Sequence, residues 1–398
     1  MERKPPSLDS AAEASAVALV LGNDDLLIET LVRLDSPTCL VRAAAVCRCW
    51  LRRASDPAFL RRFRALHPPR ILGLHVKSGC SQPRFLALRQ PQELAAAARR
   101  AVRVLSLSRG TPGLWDCRND RLLVEFSDCP GNFYAVRSLL NHHVPDVPFP
   151  APPAPSSIII RGGGVCRKHM LLLEDDDDVT SCLSLILAAF ESEVRADFAI
   201  LQSGVWGVRH SAVAQFKTKV FESQILRLQK LVVGRKVYMQ TYRFILGLDL
   251  DTDSFFTVKL PDGVVNYTLS RTQQSGLYLI DAKEFQLHVW HGDGAGQWDL
   301  VDTISVREAC GDINVPRWEP DDGDLPVLVF EAGDNAEFVF LQLRASGIIC
   351  CMQLGNRIAE RLNCGTIRPR YNDFMHPISM VWPPIFPKLD EANGEYDD

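Results

Sequence analysis

Residues capable of chemistry are plentiful in this sequence, yet their spacing assembles no compact catalytic signature. There is no G-x-S-x-G elbow for a serine nucleophile, no GxxxxGK loop for phosphate and no HExxH pair for zinc. His142-His143, His169, His210, His288 and His291 are scattered along the chain. Cys47-Arg48-Cys49 and Cys350-Cys351 are the closest cysteine pairs, and neither has the CxxC spacing of a zinc or redox motif. The run Glu174 to Asp178 could hold a hard cation or a basic peptide, but nothing near it completes a site, so it reads as a solvated loop. Gly162-Gly163-Gly164 stands in no strand-to-helix context and reads as a flexible loop. Neither a metal nor a cofactor is expected.

The chain that must position any site has 398 residues, of which 46% are hydrophobic and 23% charged, which is the balance of a folded protein. That length admits a small domain attached to a large one. A net charge of -4 excludes a protein that coats nucleic acid through a basic excess. The 12 cysteines are too dispersed for a disulfide framework and point to a reducing compartment. Ala14 to Leu21 lacks a cleavage signal, and Cys182 to Phe190 is about half of the roughly 20 residues that span a bilayer, so no membrane association is expected. The expected location is cytoplasmic, nuclear or both.

Residues 1–20 read as a flexible leader and residues 389–398 as an acidic tail. Between 21 and 67 the apolar period is helical: Leu26, Leu27, Leu31 and Leu34 recur at spacings of three and four. Asn23 and Asp24 can cap that first helix. Ser36-Pro37 opens a second helix carrying Leu40, Val41, Ala44, Val46, Cys47, Trp50 and Leu51. Ser55-Asp56-Pro57 opens a third, with Phe59, Leu60, Phe63 and Leu66, which Pro68-Pro69 stops.

Over 70–388 the period becomes two. Strands are predicted at Ile71 to Val76, Phe85 to Leu88, Val102 to Leu107, Arg121 to Phe126, Phe198 to Leu201 and Leu231 to Gln240. Further strands follow at Phe244 to Leu250, Phe255 to Leu260, Leu277 to Ile280, Phe285 to Trp290, Val327 to Phe330, Phe338 to Leu343 and Ile348 to Leu354. Turns ahead of aliphatic-aromatic strands recur at Gly234 to Tyr238, Gly276 to Tyr278 and Asn335 to Phe340, a unit of about 40 to 50 residues that marks propeller blades. The expected architecture is a small three-helix module followed by an all-β domain, a six- or seven-bladed propeller with a pair of sandwiches as the alternative. The proline-rich segment 144–157 reads as a loop between blades. Trp115, Trp206, Trp298 and Trp318 are candidates either for target contact or for packing between blades.

The helical segment resembles the F-box. The resemblance rests on Asp25-Leu26-Leu27-Ile28-Glu29-Thr30-Leu31, on Leu40-Val41-Arg42-Ala43 with Val46-Cys47-Arg48-Cys49-Trp50, and on Ser55-Asp56-Pro57-Ala58-Phe59-Leu60. Family members usually carry Leu-Pro where this chain has Gly22-Asn23, and Pro at the place of Asp35, so docking that is weakened but not abolished is expected. The family's module docks on the Skp-type adaptor of a cullin ubiquitin ligase. The implied contacts are Leu26, Leu27, Leu31, Pro37, Leu40, Val41, Val46, Cys47 and Trp50. For each of them, membership of the module's own core is the competing reading, with Trp50 and Phe59 leaning to the core or to the seam with the next domain. The β region is similar to that of plant F-box proteins with propeller-type C-terminal domains, through Asp116-Cys117-Arg118-Asn119 and Ile245 to Thr252.

The resemblance implies a substrate receptor of an SCF-type ligase, with no catalysis of its own and a protein target held by the β domain. A propeller-based enzyme with its site assembled from distant loops is one alternative, and a non-ligase scaffold is another. Arg42, Arg48, Arg52, Arg53, Arg61, Arg62 and Arg64 form a basic cluster that would steer an acidic partner, with nucleic acid as the rival reading.

Overall fold

The computed structural model describes residues 23–34, 37–67, 70–77, 84–90, 113–118, 121–128, 131–138, 146–154, 164–172, 181–190, 192–216, 230–272, 276–321, 325–362 and 374–380, together with residues 95 and 99. The leader, the acidic tail, Val102 to Leu107, His142-His143 and the run Glu174 to Asp178 lie outside the described residues. The chain divides into two compact units, residues 1–70 with 380–398, and residues 71–379. Among the described residues no helix is long and apolar enough to cross a membrane.

Among the described residues the first unit contains four helices: α1 (Asp24–Val32), α2 (Pro37–Ala44), α3 (Arg48–Ala54) and α4 (Pro57–Leu66). The sequence pattern predicts one helix from Pro37 through Leu51, whereas the chain breaks it after Ala44. Cys47 takes an extended conformation (φ -158°, ψ 168°), and its Sγ accepts the Trp50 N–H at 3.5 Å, so a new helix starts there. The other starts follow the predicted caps. Asn23 Oδ1 accepts from Asp25 N and Leu26 N at 3.0 and 3.2 Å, and Asp56 Oδ1 accepts from Ala58 N and Phe59 N, both at 2.9 Å.

The second unit is a six-bladed β-propeller. Chain order supplies five blades of antiparallel strands. The first is β3 (Gly113–Arg118), β4 (Arg121–Asp128), β5 (Gly131–Ser138) and β6 (Val147–Phe149). The second is β7 (Gly164–Leu171), β8 (Cys182–Phe190) and β9 (Glu193–Gln202), with an outer strand broken into β10 (Val205–Trp206) and β11 (His210–Gln215), both paired to β9. The third is β12 (Lys230–Val233), β13 (Lys236–Gln240), β14 (Phe244–Asp249) and β15 (Ser254–Lys259). The fourth is β16 (Tyr267–Arg271), β17 (Leu277–Lys283), β18 (Gln286–Gly292) and β19 (Trp298–Ser305). The fifth is β20 (Val327–Ala332), β21 (Phe338–Leu343), β22 (Ile348–Gln353) and β23 (Ile358–Arg361). Ring closure joins the two ends of the propeller: β1 (Arg70–Lys77) lies between β2 (Arg84–Ala87) and the C-terminal β24 (Phe374–Met380).

The cores lie between consecutive blades, which explains which strands were legible. Leu185 and Phe198 of the second blade pack with Met239 and Leu246 of the third, and Ile280 and Val289 of the fourth pack with Val339 and Cys350 of the fifth. Strands covered on both faces therefore read as continuous apolar runs. Every residue from Phe338 to Leu343 is buried, and Cys182 to Ala189 is a strand of this kind rather than a generic apolar stretch. The predicted strand Leu231 to Gln240 is a hairpin, turned at Gly234 with φ 55°. Gly164 begins β7 instead of continuing a loop, and Val147–Phe149 within the proline-rich segment forms the outer strand β6. The three repeated turns precede the second strands β13, β17 and β21 of successive blades.

Candidate functional site

Helix spacing and the three caps fix what the helical module shows to solvent. Leu27, Leu31, Val32, Leu40, Ala44, Ala54, Phe59 and Phe63 form its core. His67 stacks on Phe63 at 4.1 Å and donates through Nε2 to the Val32 carbonyl at 3.0 Å, tying the end of α4 to the end of α1. Of the residues implied as partner contacts, Leu27, Leu31 and Leu40 are thus core, at 1%, 1% and 0% exposure. In this form they hold the module together and present no surface. Leu26, Val41 and Val46 are exposed at 47%, 37% and 65%, and the Cys47 thiol is exposed beside them in sequence. Trp50 is half-buried against the core. Pro37 opens α2, and its side chain lies outside the described residues.

The reason for the division is geometric. Leu27 and Leu31 are four apart and share a face, whereas Leu26 is rotated about 100° from Leu27 and emerges beside it. Leu40 and Ala44 share the inward face of α2, which turns Val41 outward. The helix break then carries Val46 into the solvent-facing α2–α3 connection.

The arginine cluster is partly committed within the module. Arg53 Nε donates to Asp24 Oδ1 at 3.1 Å, and Arg62 and Arg33 pair with Glu29, Arg33 at 3.2 Å. The hydrogen bond and charge of Arg62, with the charge of Arg33, hold the Glu29 carboxyl below the usual carboxylate range. Arg42, Arg48 and Arg52 are exposed and form no ion pair among the described residues. Arg42 directly follows Val41, and Arg48 stands two residues after Val46.

The four tryptophans named as candidates each have a hydrogen-bond or packing partner within the propeller. Trp115 Nε1 donates to Glu125 at 2.8 Å, Trp206 Nε1 to the Pro150 carbonyl at 2.9 Å, and Trp298 Nε1 to the Lys259 carbonyl at 2.7 Å. Trp318 packs edge-on to Phe285, and the Arg307 guanidinium lies 4.0 Å above Phe285 and 5.1 Å from Trp318. A cleft of about 570 Å³ opens there, lined by Arg307, Cys310, Asp312, Ile313, Asn314, Val315 and Trp318 among others. Among the described residues no group of three or more His, Cys, Asp or Glu is placed to hold a metal ion. Four of the six scattered histidines are described, two in the second blade and two in the fourth, each with its own neighbours: His169 contacts Trp115 and Tyr134, His210 contacts Asp253, His288 approaches Asp281 and His291 packs on Tyr278.

Residues 113–386 match the family model described as F-box protein AT5G49610-like, beta-propeller. The chain belongs to this family. This F-box protein therefore joins a short helical module to a six-bladed propeller, and the family match covers all but the closing strands β1 and β2 of the ring. No curated protein matches the chain significantly. Among solved structures, a protein of unknown function from Bacteroides caccae is 8% identical, covers 78% of this chain and 99% of its own, and superposes with a TM-score of 0.40. YCF48 bound to D1 peptide is 9% identical over 74% of this chain and 80% of its own, with a TM-score of 0.33. A chain of a nidogen/laminin complex is 10% identical over 78% of this chain and 96% of its own, with a TM-score of 0.34. Nothing about function follows from similarities at these scores.

Proposed function

We propose that this F-box protein is the substrate-recognition subunit of an SCF-type ubiquitin ligase. Residues 21–67 dock on a Skp-type adaptor and through it on a cullin, and the propeller holds a protein target. The observation that carries this reading is the exposed set Leu26, Val41 and Val46 on a module whose core is already complete without them. Exposed apolar side chains on a small helical unit are the chemistry of a helix-to-groove interface. The exposed Arg42, Arg48 and Arg52 of the same module favour an adaptor surface of acidic character, chiefly by steering its approach.

Such a receptor makes and breaks no bond. Its contribution is effective concentration: a target gripped by one unit is carried to a conjugating enzyme recruited by the other. The rigid blade-to-blade packing suits the propeller to that task, because recognition loops are most precise when mounted on a rigid scaffold. A ligase subunit of this kind acts in the cytoplasm, the nucleus or both.

Co-expression with a Skp-type adaptor and a cullin, followed by affinity capture of the full chain, tests the reading. A stable ternary complex that is lost on Leu26→Asp with Val46→Asp, while the propeller stays folded, is the expected outcome. Retention of the adaptor by that double variant would move the interface away from this surface.

A further inference from the structure

The connection from β19 of the fourth blade to β20 of the fifth walls the cleft of about 570 Å³, a volume within the roughly 300–1,000 Å³ of ligand pockets. It begins as the short helix α5 (Val306–Ala309), where Ser305 Oγ accepts the Glu308 N–H at 3.3 Å. The chain then turns at Cys310, whose carbonyl accepts the Ile313 N–H at 2.8 Å. From Asn314 to Glu319 no backbone N–H or C=O is hydrogen-bonded among the described residues. Ile313, Val315 and Trp318 pack against the core between the fourth and fifth blades, whereas Asp312 and Asn314 alternate with them and are exposed. The cleft therefore has an apolar floor, two polar side chains at its rim and a stretch of unbonded main chain.

The charges around this cleft are unequal. The connection from Ser305 to Pro326 holds six acidic residues and two arginines. Both arginines are committed: Arg307 lies against Phe285 and Trp318 and pairs with Glu319, and Arg317 Nη2 reaches Asp321 at 2.9 Å. The carboxylates of Glu308 and Asp312 form no ion pair or hydrogen bond among the described residues, and Asp312 lines the cleft. A free carboxylate beside an apolar floor is the counterpart of a Lys or Arg side chain, which lays its stem on apolar surface and pairs its head group. Unbonded backbone donors and acceptors are the counterpart of another main chain.

We infer that this cleft binds an extended, basic peptide segment of a protein target. The segment's main chain hydrogen-bonds along residues 314–319, and one Lys or Arg side chain is set against Asp312 over the floor of Ile313, Val315 and Trp318. A small cation would leave the backbone groups unused, and an acidic segment would meet a surplus of like charge. The inference rests on the reading of the propeller as the target-holding unit, and it names the surface and the kind of segment held there. Adaptor docking belongs to the helical module and takes no part in it.

Hexapeptide arrays, each with one position fixed and the others randomised, test the cleft when probed with the purified full chain. Fixing Arg or Lys at an interior position is expected to retain the chain most strongly, and fixing Asp or Glu least. For a peptide synthesised from that selection, Asp312→Asn should weaken binding about three- to fivefold, as expected for loss of one exposed ion pair. Asp312→Lys should turn the preference of the array toward Asp and Glu. Asp312 is exposed, so both variants are expected to keep the Tm of the unaltered protein, which separates loss of binding from loss of fold. Methylating the peptide's backbone nitrogens removes its main-chain donors and should abolish binding. The inference is overturned if the array shows no selection, if acidic positions are selected, or if Asp312→Lys selects as the unaltered protein does. The array contains no adaptor, so selection of basic peptides by a chain that binds no adaptor contradicts the ligase reading alone. Adaptor binding without such selection contradicts the cleft alone.

Discussion

Trp298, the first residue of β19 in the fourth blade, donates its indole N–H to the carbonyl of Lys259, the last residue of β15 in the third, at 2.7 Å. Trp206 in the second blade makes the corresponding bond to Pro150, just beyond β6 of the first, at 2.9 Å. Each indole thus latches the outer strand of one blade to the outer strand before it. Gly292 lies beneath Trp298, where an added Cβ would come within 2.6 Å of the ring, so the glycine is what lets the indole lie flat across the pair.

Replacing either indole by phenyl keeps most of the apolar contact and deletes the hydrogen bond. Trp298→Phe and Trp206→Phe are each expected to lower the unfolding free energy by about 1 kcal/mol in urea titrations. Because the two latches share no residue, the double variant should lose the sum. No loss in either single variant would mean that the latches contribute only packing.

The helical module separates core from surface residue by residue. Leu40→Ala is expected to cost about 2–5 kcal/mol and to abolish the helical signal of this unit. Leu26→Asp and Val46→Asp, at exposed positions, should leave circular dichroism unchanged. A loss of helicity in the aspartate variants would show those side chains to be part of the core after all.

Helix capping gives a third expectation. Asn23→Ala removes the acceptor for Asp25 N and Leu26 N, and Asp56→Ala that for Ala58 N and Phe59 N. Each change should lower the melting midpoint of the module, by about 1 kcal/mol of stability. Glycine at the same positions should cost only a few tenths of that.

Acid stability follows from two buried histidines and one partly exposed carboxyl. Burial, then the charges of Arg167 and Lys168, push His169 down to about 3, and neither of its ring nitrogens meets a partner among the described residues. His376 is depressed as well, by burial, Lys168 and His75. In the unfolded chain both titrate near 6.5, so below that pH the unfolded state binds more protons and stability falls as pH drops. Glu337 acts in the opposite sense: burial and Asp334 raise it to about 7, so over the window from 4.5 to 7 the folded state holds the extra proton. The three groups together predict a net uptake of one proton on unfolding between about pH 4.5 and 6.5, a slope of ~1.4 kcal/mol per pH unit. His169→Phe should flatten that slope, and Glu337→Gln should steepen it toward twice the value. Unfolding measured against pH for the three proteins checks both signs.

The architecture was legible where the residues leave little choice. Ser55-Asp56-Pro57 marked the start of α4 because a side-chain cap followed by proline admits few other conformations, and Phe338 to Leu343 was plain as a strand because β-rich apolar residues fill both its faces. The break between α2 and α3 was hidden, since Leu40, Val41, Ala44, Val46 and Cys47 keep a helical period across it and a cysteine cap is an uncommon signal. The outer strand β19 was hidden for the opposite reason: Asp299, Leu300 and Val301 all face solvent, so no alternation marks it. Candidate contacts on the module were legible as a set but not as individuals, because Leu26 and Leu27 are neighbours in sequence whose fates depend on how α1 turns against α4.

Adaptor binding by the intact chain is the measurement that bears most directly on the functional account. Calorimetric titration of the purified full chain with a Skp-type adaptor should give a 1:1 complex. Binding should disappear when Leu26 and Val46 are both replaced by aspartate, and deletion of residues 21–67 should remove it while the propeller remains folded. A folded full chain that gives no heat and no complex with the adaptor would contradict the ligase assignment.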